Sequence, residues 1–114
     1  MTVSEIKEVI ASKTNINLQD KNGMTPLLCA VDYQDLALVK ELLDLRAKLD
    51  VQDKYGQTAL MLAAGRNFVQ AVKLLVSAKA NLKLVSASGL TALGFAEDNG
   101  NTESYDILKK AGAK

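Results

Sequence analysis

The sequence predicts an all-α solenoid of helix–turn–helix units with projecting β-turn or hairpin fingers, and three observations carry that expectation. First, a block of 33 residues recurs in register: Asp20-Lys-Asn-Gly23-Met-Thr25-Pro-Leu27 returns as Asp53-Lys-Tyr-Gly56-Gln-Thr58-Ala-Leu60, then as Ser86-Ala-Ser-Gly89-Leu-Thr91-Ala-Leu93. Units of this length cannot bury an apolar face alone, so they must stack on one another. Second, the apolar residues inside each unit keep helical spacing, as in Leu27, Ala30 and Val31 or Leu60, Ala63 and Ala64. Third, the hydrophobic content is 48% with only 4% aromatic, so Ala, Leu and Val carry the apolar load and allow thin layers to approach closely.

Taken in order, the N-terminal segment is a half unit. Moving back one period from Val39, Leu42 and Leu43 lands on Ile6, Val9 and Ile10, and Thr2 and Glu5 have the spacing of a capping box that starts a helix near Val3. In each full unit the first helix starts after Thr25, Thr58 or Thr91, whose hydroxyl can accept from the free N–H groups of the first turn. Pro26 follows where a missing N–H is harmless. The chain then reverses near Gln34, Asn67 and Gly100, positions suited in different degrees to a left-handed backbone.

Second helices are expected over Leu36 to Leu45, Phe68 to Ala78 and Thr102 to Ala111, with Asp35 and Asn101 as caps. Between units lie turns centred on Lys21-Asn22-Gly23, Lys54-Tyr55-Gly56 and Ala87-Ser88-Gly89, where a glycine serves a tight turn. The units are therefore 1–19 (half), 20–52, 53–85 and 86–114, forming a single domain. Lys109 replaces the apolar Leu43 and Val76, which gives the last unit a polar outer face and suggests an array finished at Lys114.

Fourteen basic and 13 acidic residues leave a net charge of +1, which supplies no field for nucleic acid or anionic lipid. No apolar run reaches the roughly 18 residues of a membrane span, and the start Met1-Thr-Val-Ser-Glu-Ile is unlike a secretory leader, so a cytoplasmic protein is expected. Cys29 is the only cysteine and there is no histidine, which excludes an internal disulfide and a structural zinc site and leaves Cys29 without a base. Its equivalence to Leu62 and Phe95 makes Cys29 a core residue. Neither an enzymatic constellation nor a cofactor is implied.

The pattern Asp-x-x-Gly-x-Thr-Pro-Leu, an Ala-rich first helix, and a second helix with Val-x-x-Leu-Leu resembles the ankyrin repeat over about residues 4 to 114. Three features depart from that family. Leu28, Met61 and Gly94 stand where a His is usual, so its bonds to the neighbouring finger must be absent or made otherwise. Arg46 and Lys79 replace a helix-ending Gly, at about 1 kcal/mol each if φ is positive. Ser86 replaces the opening Asp, which predicts a softer third repeat.

The resemblance implies a concave groove of finger tips and first helices that binds another protein. Carried onto this chain, the groove holds Lys21, Asn22, Met24, Asp32 and Tyr33, then Lys54, Tyr55, Gln57, Gly65 and Arg66, then Ala87, Ser88, Leu90, Asp98 and Asn99. Tyr33, Tyr55 and Arg66 are residue types that carry interface energy, and Met24 and Leu90 would add apolar contact. Tyr33 and Arg66 occupy equivalent positions and are expected side by side. No acid falls between Asp53 and Glu97, whereas Lys54, Arg66, Lys73, Lys79 and Lys83 do. Lys73 and Lys79 belong to the second helix and its end, so these charges spread around the unit as ordinary solvated side chains, the alternative being an acidic partner segment that meets Lys54 and Arg66. The expected state is a monomer binding one unidentified protein; the alternative is a self-associating structural unit anchored on Phe68.

Overall fold

The computed structural model describes residues 1–114 and contains seven helices and no strand. Helix α1 spans Val3–Ser12; the full units then give α2 (Pro26–Asp32) with α3 (Leu36–Asp44), α4 (Ala59–Gly65) with α5 (Val69–Ser77), and α6 (Ala92–Asp98) with α7 (Thr102–Lys110). The inner helices α2, α4 and α6 pack in succession, as do the outer helices α1, α3, α5 and α7, and each inner helix packs on the outer helix of its own unit. The result is an elongated body of 38 × 24 × 19 Å.

Local chemistry sets the helix boundaries. The capping box at Thr2 and Glu5 is formed in both directions and starts α1 at Val3. Thr25, Thr58 and Thr91 each accept through Oγ1 from the backbone N–H three residues on, at 3.2 Å in all three units. The chain reverses through left-handed residues at Gln34, Asn67 and Gly100, with φ of 56°, 53° and 66°. Arg46 and Lys79 are also left-handed, at 62° and 74°, so the condition under which loss of the helix-ending glycine costs stability is met.

One cap is different from the expectation. Asp35 caps α3 by accepting from the Leu38 N–H at 3.2 Å, but the Asn101 side chain makes no bond to α7. Its amide instead crosses to the preceding unit and donates to the carbonyls of Ala64 and Gly65 at 2.7 and 3.0 Å. Those carbonyls lie at the end of α4, where backbone acceptors lack helical partners. Beside this joint the fully buried Ser104 donates to Asn67 Oδ1 at 3.0 Å.

A single core runs the length of the stack, from Ile6 through Leu27, Val39, Leu42, Leu60, Val72 and Leu75 to Leu108. Cys29 lies in it, 4% exposed, and burial pushes its thiol up from the ordinary value. Phe68, the anchor expected for self-association, is half-buried and packs against this core. The inner helices are only seven residues long. Isolated helices shorter than about 12 residues are marginal in water, so their stability comes from neighbouring layers.

Candidate functional site

The fingers are turns, not hairpins, and each is folded by the residue that opens it. One carboxylate oxygen of Asp20 accepts from the N–H groups of Asn22 and Met24 at 2.8 and 2.9 Å. Asp53 repeats this with Tyr55 and Gln57, both at 2.9 Å. The Met24 N–H, followed by that of Asn22, holds the Asp20 carboxyl below its ordinary value despite partial burial. In the third finger, Ser86 Oγ manages only a 3.4 Å contact from the Leu90 N–H and shares a 2.7 Å bond with Ser88 Oγ.

Neighbouring fingers are clasped through main chain. The Lys54 N–H donates to the Asn22 carbonyl at 3.0 Å, and the Ala87 N–H to that of Tyr55 at 2.9 Å. The bridges expected from the family's His come from another column. The Gln19 amide donates to Gly23 O and Gln52 O at 3.1 and 3.4 Å, and the Gln52 amide to Gly56 O and Val85 O at 2.8 and 3.0 Å. Sequence reading missed both glutamines; their one-period spacing was the available signal.

Between the first and second fingers lies a cleft of about 370 Å³. Seven of the expected groove residues line it: Asn22, Met24, Asp32, Lys54, Tyr55, Gln57 and Arg66. Asp53 and Leu62, not assigned to the groove from sequence, complete the wall. Tyr55 is the most exposed large apolar side chain of the molecule, at 58%. Lys54 Nζ sits 5.1 Å from the centre of its ring and donates to Asn22 Oδ1 at 3.1 Å.

The remaining expected residues lie outside this cleft. Of the pair expected side by side, Arg66 lines the cleft and pairs with Asp32, whereas Tyr33 lies outside it and its hydroxyl donates to the Met1 carbonyl. Lys21 is exposed on the first finger. In the third unit, Ser88 bonds Ser86, Leu90 lies over Gly94, and the Asn99 amide donates to Phe95 O at 2.8 Å. Asp98 is exposed.

The family model of ankyrin repeats, in three copies, matches residues 3–83 and 30–114. No curated protein matches the chain. Ankyrin repeats generally serve as protein–protein interaction modules and are typically non-enzymatic. No helix of this chain is long and apolar enough to cross a membrane.

Proposed function

The chain belongs to the ankyrin-repeat family, and we propose that residues 1–114 act as one non-enzymatic domain that docks a segment of another protein in the concave groove. The observation that supports this reading is the cleft between the first two fingers, where seven separately expected residues meet around an exposed tyrosine. Tyrosine and arginine are enriched among residues that dominate interface energies. In this reading Lys21 and Tyr33 on the first unit, and Ser88, Leu90, Asp98 and Asn99 on the third, would contribute further contacts along the groove.

Binding here works by preorganisation. The fingers are fixed by main-chain bonds and by the Gln19 and Gln52 bridges, so little ordering remains to be done when a partner arrives. Self-association is the weaker reading because its proposed anchor, Phe68, packs against the core and is only partly accessible. A photo-crosslinking residue at position 55 is expected to capture partner protein from native lysate, and the same residue at Lys73 on the outer helix is not. Capture from position 73 alone would place binding on the other face.

A further inference from the structure

We propose that the cleft between the first and second fingers takes an uncharged, apolar side chain of the partner segment, and that its cations shape the cleft and do not recruit an acidic partner. This rests on the groove reading above. An acidic partner is the alternative that the sequence leaves open, since the middle unit carries five cations and no acid lies between Asp53 and Glu97. Three of those cations, Lys73, Lys79 and Lys83, do not line the cleft.

The charges that do line it are Asp32, Asp53, Lys54 and Arg66, two of each sign. Each has a local partner. Arg66 is paired with Asp32 from the preceding unit. Lys54 is held between Asn22 Oδ1 and the Tyr55 ring, and Asp53 accepts two N–H groups of its own finger. With two charges of each sign the cleft has no net field to draw a partner carboxylate, which would also compete with Asp32 for Arg66 and with Asn22 and the Tyr55 ring for Lys54.

Three residues give the cleft its apolar surface. Met24 and Leu62 are half-buried on its wall, and the Tyr55 ring stands exposed beside them. Methionine adapts its shape to an entering side chain, and tyrosine supplies rigid contact area. At about 370 Å³ the space suits an anchor side chain of an extended segment. An interface whose charges are already matched internally also has little salt dependence.

The test is to pan a displayed library of random peptides on the full chain and on Asp32→Asn, which leaves Arg66 unpaired, with Arg66→Gln as a second variant freeing Asp32. Circular dichroism checks that each variant is folded. Wild-type peptides are expected to share an apolar anchor without acidic bias. Their affinity should change by no more than about twofold between ionic strengths of about 0.01 and 0.15 M, and Met24→Ala and Tyr55→Ala should each weaken them about tenfold. Asp32→Asn should select acidic, salt-sensitive peptides, and Arg66→Gln basic ones.

Acidic wild-type peptides that weaken about tenfold or more over the same salt range, with no change in preference for Asp32→Asn, would overturn this inference and leave the groove reading intact. Peptides indifferent to Met24→Ala and Tyr55→Ala, or no enrichment at all, would overturn the groove reading itself. A concentration-dependent dimer abolished by Tyr55→Ala would make the occupant a second copy and overturn both.

Discussion

The first two fingers and the third share one register but are held by different bonds. Fingers one and two each fold around an Asp carboxylate and are tied to the next finger by a backbone bond and a glutamine amide. Their glycines sit against the next finger's main chain: a Cβ on Gly23 would lie 3.0 Å from Asp53 Cα, and one on Gly56 2.9 Å from Ala87 N. The third finger folds on a serine, has Val85 in the bridging position, and presents Gly89 to open space. The same loss recurs away from the fingers. Asn17 and Asp50 accept from the Lys48 and Asn81 N–H groups at 2.8 and 2.9 Å, while the next residue in that column is Lys83, which has no acceptor. A repeat motif therefore specifies a layer's shape, and the columns of polar residues running between layers specify how firmly it is joined.

Alanine at the glycines gives the sharpest contrast. Gly56→Ala combines a left-handed backbone with a main-chain clash and should cost about 3 kcal/mol in urea unfolding. Gly89→Ala carries the same backbone penalty without the clash, so a cost of about 1 kcal/mol is expected. Equal losses would mean that the interfinger approach contributes nothing. Replacing the long hydroxyl contact by a carboxylate, as in Ser86→Asp, should stabilise the chain by about 1 kcal/mol, and no gain would break the claim that the third finger is under-held. Arg46→Gly and Lys79→Gly, at left-handed sites, should each raise the melting temperature by the equivalent of less than about 1 kcal/mol, because relief of strain outweighs the added freedom of the unfolded chain.

The smallest effect is on pH. The Asp20 carboxyl is held below its ordinary value of 3.8, so the stability it supplies is present above that pH and is lost as pH falls through the lower, folded value. Asp20→Asn keeps an acceptor that does not titrate. Its stability relative to wild type should rise as pH falls from about 5 to about 2; parallel curves would show that the finger carboxylate is energetically silent.

Much of the architecture was legible because its causes are local. A Thr before Pro26 announces a helix start wherever it falls, whereas the missing glycine at Arg46 and Lys79 left open a strained residue or a different turn, and the structure shows the positive φ. The joints were less legible. Asn101 has the composition of a cap, yet its amide finds better use on the α4 carbonyls of another layer, a choice that depends on tertiary neighbours. Arg66 and Asp32 are 34 positions apart, so their pairing follows from the stacking distance and not from any nearby pattern. The site divided in the same way. Family likeness found the walls of the cleft, whereas which of its charges were already engaged became visible only with the layers assembled.

Gln19 and Gln52 use the same amide to hold their own turn and the segment leading into the next. The spacing between successive tips is thereby written in peptide groups, which every substitution at Met24, Tyr55 or Gln57 leaves untouched. Such a surface can exchange its outward residues, and with them its choice of partner, while the distance between contact points stays constant.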